Sequence, residues 1–354
     1  MVTLQDIARQ TGVSKVTVSY VLNDRETRVR ISEETRRRVK EAARQMGYRP
    51  NAVARALARR RSDTLTLVMQ SPNVFSGGSG FTNEMMRGIL DGANHCGFDL
   101  MLHTKTLRSL DAEVCALTDG RADGALVLRD QGDPLIGALH ERGLPCVAIF
   151  SRPQRADIAF VDCDNVAGGR MAVEHLLARG HRRVGFLGGA PASSAVIERR
   201  QGYEAALRER GITPRPEWAG TITYADGDFA PLRRMMSLPR SERPTGLFIW
   251  SDDVAGRAVA VLHGDLGLRV PDDVSVIGFD GVEAVCARCI PRLTSIRQPV
   301  HEMAHRSVEV LAGLIQGRVG GGAAPAPRAR PPEPGIRFRP EILAGATCAP
   351  ARNA

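Results

Sequence analysis

A chain of 354 residues has room for two or three domains with cores of their own, and its 43% apolar and 25% charged residues are ordinary for a globular protein. No apolar run is long enough to span a bilayer, which excludes an integral helical membrane protein. The net charge of +9 is localised: residues 1–61 hold 15 Lys plus Arg against 6 Asp plus Glu, and the remainder holds 33 of each, so one segment alone is fitted to a polyanion. The N-terminal MVTLQDIARQ lacks the charged-then-apolar plan of a secretory signal, so a cytoplasmic protein is expected. Seven scattered cysteines, an odd number, are too few for a disulfide framework.

Residues 3–23, TLQDIARQTGVSKVTVSYVLN, read as two short helices. Thr3 can cap the first with Asp6 three residues on, Gly12 ends it, and Ser14 can cap the second. Leu4, Ile7 and Ala8 repeat at helical spacing, as do Val18, Val21 and Leu22, so each helix has a face to bury against the other. That is a helix-turn-helix, whose second helix is free to enter a major groove with Lys15, Val16, Thr17, Ser19, Tyr20 and Asn23 facing outward. The segment 31–50, ISEETRRRVKEAARQMGYRP, reads as a third helix capped by Ser32, with Val39, Ala42, Ala43 and Met46 as its buried stripe and Gly47 and Pro50 as its stop. Residues 51–61, NAVARALARRR, suggest a further short helix that orders only when something binds it.

From Thr64 the pattern changes to apolar strands alternating with amphipathic helices, in two successive runs. TLTLVM, GFDLMLH, GALVL and PCVAIF form the first; RRVGFLG, TITY, GLFIW and VSVIGFD form the second. Nearly continuous apolar strands separated by helices imply parallel sheets covered on both faces, hence two doubly wound lobes with a natural ligand cleft between them. Residues 317–335, dense in Gly, Pro and Ala, read as a flexible loop, after which IRFRPEIL looks strand-like.

These blocks together resemble the lactose-repressor (LacI) family of bacterial transcription regulators over almost the whole chain. The likeness runs from TLQDIARQTGVSKVTVSYVLN through GYRPNAVARAL, DNVAGGRMAVEHLLARGHRRVGFLGG, ERRQGYEAAL, SDDVAGRAVAVL, VPDDVSVIGFD and IPRLTSIRQP. The resemblance implies an α/β protein with an all-α head (1–50), a hinge helix (51–61) and a two-lobed periplasmic-binding-protein-like core. Three chain crossings divide that core into a first lobe of 62–162 with 292–322 and a second of 163–291 with 323–347. It implies a homodimer on a pseudo-palindromic double-stranded DNA operator. The C-terminal ATCAPARNA lacks leucine heptads, so a dimer rather than a tetramer is expected.

Carried over residue by residue, the resemblance places Lys15, Val16 and Tyr20 on base edges. Tyr20 departs from the arginine common there, so operator sequence does not transfer. Ser14, Thr17, Ser19, Asn23 and Asn51 fall at backbone-positioning places, and Leu4, Tyr48 and Ala54 join the DNA-contacting set. Leu57 matches the hinge leucine that wedges into the minor groove. Arg199, Asp252 and Asp280 fall where relatives contact an effector, expected here to be a sugar or a derivative, and Phe81 and Phe150 are candidate apolar walls.

Cys286-x2-Cys289 with His301-x3-His305 has nearly zinc-finger spacing, yet IPRLTSIRQPV between the pairs carries two prolines and no hairpin signal, so no metal is expected. The glycines of SGGSGFT and LGGAPASS match neither a phosphate loop nor a dinucleotide fingerprint. No nucleophile or acid–base constellation stands out, so neither a cofactor nor enzymatic activity is expected. The reading is a ligand-controlled DNA-binding regulator, most simply a repressor, with no membrane partner. A solute-binding protein without DNA function is the alternative, and the basic head argues against it.

Overall fold

In a computed structural model the described residues are 2–23, 31–49, 61–70, 79–105, 107–224, 227, 229–319 and 335–352. They fall into two compact units, Met1–Ser62 and Asp63–Ala354. Asn51, Ala54 and Leu57 of the expected hinge lie outside the described residues, as does most of the expected loop at 317–335.

In the first unit, α1 (Leu4–Thr11) opens on a capping box in which Thr3 Oγ1 accepts from the Asp6 amide and the Asp6 carboxylate accepts from the Thr3 amide; it closes on Gly12 at φ 67°. Ser14 caps α2 (Lys15–Leu22), and Ser32 caps α3 (Glu33–Gln45). The helices meet over Ile7, Ala8, Val18, Val21, Val39, Ala42 and Ala43, the stripes that periodicity selects, with Met46 packing at the edge.

The second unit holds two six-stranded sheets. The first runs β11-β5-β4-β3-β1-β2, with β1 Thr64–Met69, β2 Asp99–His103, β3 Gly124–Leu128, β4 Cys146–Ile149, β5 Ala159–Cys163 and β11 Ile336–Phe338. The second runs β12-β10-β9-β8-β6-β7, with β6 Val184–Gly188, β7 Ala219–Thr221, β8 Gly246–Ile249, β9 Ser275–Asp280, β10 Thr294–Arg297 and β12 Glu341–Leu343. Every pairing is parallel except β10 with β12. Alternate residues of the central strands serve opposite faces, as a parallel sheet buried on both sides requires. Leu126, Val147 and Ile149 pack under α4 (Gly80–Cys96) and α12 (Val300–Val319). Ala125, Val127, Cys146 and Ala148 pack under α5 (Leu110–Leu117) and α6 (Leu135–Glu141). The second sheet is covered by α7 (Asn165–Leu177) and α8 (Ser194–Glu209) on one side. On the other lie α9 (Ala230–Met236), α10 (Asp252–Gly264) and α11 (Glu283–Arg288).

The lobe boundaries differ from the expected ones. Residues 292–322 do not all belong to the first lobe, because β10 pairs with β9 in the second sheet and only α12 returns to the first. Likewise 323–347 is shared, since IRFRPEIL breaks at Pro340 into β11 of the first sheet and β12 of the second. The crossings therefore follow β5, β10 and β11, where an amide–carbonyl bond from Asp164 to Phe338 ties two of them together at 2.9 Å. The strand expected over 221–224 is β7, displaced toward the N-terminus, which frees Tyr224 from the sheet.

The zinc-like spacing dissolves in the fold. Cys286 and Cys289 pack in the second lobe, whereas α12 carries His301 and His305 against α4 of the first, with His301 Nε2 2.7 Å from Asp91. No metal-ligating cluster occurs among the described residues. Nor is any described helix long and apolar enough to cross a membrane.

Candidate DNA-reading head and effector cleft

In the head, α2 buries Val18 and Val21 and presents Lys15 and Val16 outward, Val16 being 61% exposed. An apolar side chain left that open at the start of a recognition helix suits contact with a thymine methyl. Thr17, Ser19 and Tyr20 are half-buried along the same helix. Ser14 Oγ accepts from the Thr17 amide at 3.0 Å, and Asn23 Nδ2 donates to the Ser19 carbonyl at 2.9 Å, so these polar groups fix the two ends of α2. Leu4 and Tyr48 pack on the head's core with one side open. Lys15 and Val16 thus stand on a helix whose other face is locked.

In the core, the parallel strands aim their C-terminal ends at the inter-lobe cleft, the place where such sheets bind ligands. Just beyond β4, Phe150 takes a φ of 49° and meets Phe81 at the start of α4, ring centroids 4.9 Å apart and edge to face. From the second lobe, Trp250 follows β8 and meets Tyr224 at 5.0 Å, also edge to face. Each lobe thus brings one aromatic pair.

Beside the second-lobe pair, Arg199 is 4% exposed. Its Nε donates to Asn165 Oδ1 at 2.9 Å and its Nη1 to the Trp250 carbonyl at 2.5 Å. The guanidinium lies 3.5 Å from the centroid of Phe279 and 3.8 Å from Asp280 Oδ1. Two glycines make this placement possible: a Cβ on Gly169 would sit 2.2 Å from the Arg199 carbonyl oxygen, and one on Gly202 2.1 Å from that of Val166, so α7 and α8 touch backbone to backbone. Asp280 closes β9 at φ 114°, a conformation that an aspartate holds only when its surroundings enforce it. Gln298 Nε2 donates to it at 2.8 Å. Burial pushes the Asp280 carboxyl well above the usual range, against the opposing pull of Arg199.

Asp252, expected as an effector contact, is bonded inside the second lobe. Its Oδ2 accepts from the Val282 amide at 3.0 Å and its Oδ1 from Ser295 Oγ at 2.5 Å, so the carboxylate secures the segment after β9 instead of facing the cleft. Its neighbours face the other way. Asp253 Oδ2 accepts from Ser79 Oγ at 2.9 Å and from the Gly80 amide at 3.1 Å, a bridge from the second lobe to the N-terminus of α4 in the first. Ser251 Oγ lies 3.1 Å from the Tyr224 hydroxyl. A second bridge joins Arg152 to Glu198 at 2.8 Å. Asp162, 1% exposed at the end of β5, accepts from the Cys163 amide at 2.8 Å and is pushed up to about 7 by burial. Tyr224, Trp250, Ser251, Asp253 and Asp162 were missed from the sequence. Their shared signal is position, just beyond the C-terminal end of a parallel strand or at a crossing.

A basic helix-turn-helix head joined to a two-lobed core with a polar cleft defines a ligand-responsive transcription regulator. Residues 3–51 match the description "Bacterial regulatory proteins, lacI family", and residues 173–339 match a periplasmic binding protein-like domain. The chain belongs to the lacI family of bacterial regulatory proteins. It is 33% identical to the HTH-type transcriptional repressor PurR of Aliivibrio salmonicida over 89% of this chain and 93% of that one. It is likewise 33% identical to the HTH-type transcriptional regulator CelR of Thermobifida fusca over 89% and 92%. Among solved structures it is similar to a CelR–cellobiose complex (TM-score 0.69, 29% identity, 98% of this chain and 100% of that one). It is similar also to a lac repressor dimer bound to operator and the anti-inducer ONPF (TM-score 0.76, 25% identity, 98% and 99%).

Proposed function

We propose that this regulator binds a pseudo-palindromic operator as a homodimer in the cytoplasm and represses transcription under control of a small polyhydroxylated metabolite, a sugar or sugar derivative. The observation that carries the ligand class is the pair of Arg199 and Asp280, held together beside Trp250, whose ring meets Tyr224, with Phe81 and Phe150 paired in the first lobe. Paired charged groups suit adjacent hydroxyls, and aromatic faces suit the apolar side of a ring. The similarity to a cellobiose-bound regulator supports the same class. Lys15, Val16 and Tyr20 read bases in this proposal; Ser14, Thr17, Ser19, Asn23 and Asn51 set register; Leu4, Tyr48 and Ala54 support the contact; and Leu57 enters the minor groove. Ser251, Tyr224, Trp250 and Gln298 join Arg199, Asp280, Phe81 and Phe150 around the effector, and Asp252 leaves that set.

Gel-shift titration with promoter fragments across a salt series tests the DNA half; absent or salt-insensitive binding would overturn it. A thermal-shift screen of sugars, polyols and nucleosides tests the ligand half, because bound ligand raises apparent stability by mass action. A hit confined to nucleosides would overturn the carbohydrate assignment. Whether the hit weakens or strengthens the gel shift distinguishes an inducer from a co-repressor, and linkage requires operator DNA to change effector affinity by the same factor.

A further inference from the structure

Asn165 opens α7 of the second lobe just after the crossing that follows β5 of the first, and it is 0% exposed. The two ends of its amide meet different partners. Nδ2 donates to both Asp162 oxygens at 3.3 Å and to the Cys163 carbonyl at 3.2 Å. A hydrogen bond from the same side chain favours the charged Glu198 carboxylate of α8. Oδ1 accepts from Arg199 Nε at 2.9 Å.

This pattern fixes which way the amide points. Turned over, it would set its NH2 group against Arg199 Nε–H, donor against donor, and its oxygen against a carboxyl and a carbonyl. Bonds would go unmade on both sides, the costly case for buried groups. The guanidinium is fixed in its turn. Nε–H goes to Asn165, an Nη1 hydrogen goes to the Trp250 carbonyl, and the Phe279 ring lies against its face at 3.5 Å. A planar fork held along two of its donor directions and across its face has one orientation left to it, the one that sets Nη1 3.8 Å from Asp280 Oδ1.

We propose that Asn165 is a positioning residue for the effector. It stays buried, clear of the ligand, and aims the Arg199 guanidinium, while Asp162 of the other lobe aligns its own amide. The inference rests on the reading of Arg199 and Asp280 as effector contacts. It makes a contact within the second lobe depend on a strand of the first. A shift of β5 against α7 that parts Asp162 from Asn165 frees the amide to turn and loosens Arg199, so the grip on the effector and the arrangement of the lobes change together.

Isothermal titration of the whole protein with D-glucose, cellobiose, D-ribose and myo-inositol, each in turn, with urea unfolding alongside, tests the assignment. Asn165→Leu keeps the bulk of the side chain and removes both ends of the amide; Asn165→Ala gives the same reading where the leucine variant does not fold. Asn165→Asp keeps an oxygen for Arg199 Nε and gives up the bonds to Asp162, Cys163 and Glu198. A carboxylate accepts at both ends, so it needs no alignment. A sugar that binds the parent is expected to bind the leucine or alanine variant at least about tenfold more weakly, and the aspartate variant within about threefold of the parent, although every variant loses stability. Parental affinity in the leucine or alanine variant overturns the proposal and leaves the effector site standing. Equal weakening in the aspartate variant overturns it as well, because affinity then follows the stability of the fold and not the acceptor for Nε. Arg199→Met is the control: if it binds the sugar as the parent does, or if no member of the panel binds the parent, the effector reading itself fails and the proposal falls with it.

Discussion

Asp162→Asn isolates the energetic cost of a buried carboxylate at the junction of the lobes. The group is 1% exposed, and burial displaces its pKa from 3.8 to about 7. In the unfolded chain it ionises near 4; in the folded protein it keeps its proton until near neutrality. The native state therefore binds more protons between those values, and this group's contribution to stability falls as pH rises from about 4 to about 7, then stays level. At 1.36 kcal/mol per pH unit the displacement caps the penalty at ~4 kcal/mol above pH 7. Asparagine removes that penalty and still accepts from the Cys163 amide, but turns an NH2 group toward Asn165 Nδ2, which lies 3.3 Å from both Asp162 oxygens; an unsatisfied donor there costs roughly 1–3 kcal/mol. The variant is therefore expected to be neutral to less stable than the parent at pH 5 and roughly 1–3 kcal/mol more stable at pH 8. Reversible urea unfolding at pH 5, 6, 7 and 8, followed through Trp218 and Trp250 in the second lobe, measures the difference. A difference that stays constant over that range would refute the reasoning, because the carboxyl would then ionise alike in both states.

Arg199→Met leaves Asp280 buried without its cation and is expected to lower core stability by about 3–5 kcal/mol while abolishing effector response; a variant that retains its response to the effector would remove Arg199 from the binding site. Asp253→Ala deletes an inter-lobe bridge to Ser79 and Gly80 and with it a cap on α4, for an expected loss of roughly 0.5–2 kcal/mol. It should also shift effector affinity, which a titration identical to the parent's would contradict. Tyr20→Arg is expected to move base preference toward guanine at one position of each half-site, with about 1–3 kcal/mol of discrimination, and selection from a randomised operator library reads it. Leu57→Ala should weaken operator binding far more than binding to random DNA with little change in salt slope; equal losses on both would exclude a minor-groove wedge.

The architecture was legible because its signals are local and repeated. Helix caps at Thr3, Ser14 and Ser32 and the stripes at Ile7, Val18, Val21 and Val39 each need only a few neighbouring residues, and all recur in the folded head. Apolar strands such as GALVL and VSVIGFD announce a sheet covered on both faces for the same reason. Crossings between lobes are not local. IRFRPEIL reads as one strand, and its division between two sheets depends on which edge is vacant beside β5 and beside β10, which no window of sequence contains.

The same distinction explains the cleft. A parallel strand's C-terminal end marks where ligand-facing residues are expected, and Asp280 falls there while Arg199 reaches it from α8, but register within the turn decides which of two adjacent carboxylates faces outward. Asp252 and Asp253 have the same chemistry and adjacent positions in α10, yet one carboxylate is spent inside the second lobe on Val282 and Ser295 and the other reaches the first. A helix turns about 100° per residue, so neighbouring side chains at its first turn cannot share a direction. The chain therefore uses one aspartate to hold the cleft's wall and the next to join its two sides. For that reason Asp253, and not Asp252, is the residue through which lobe contact and effector binding are expected to be coupled.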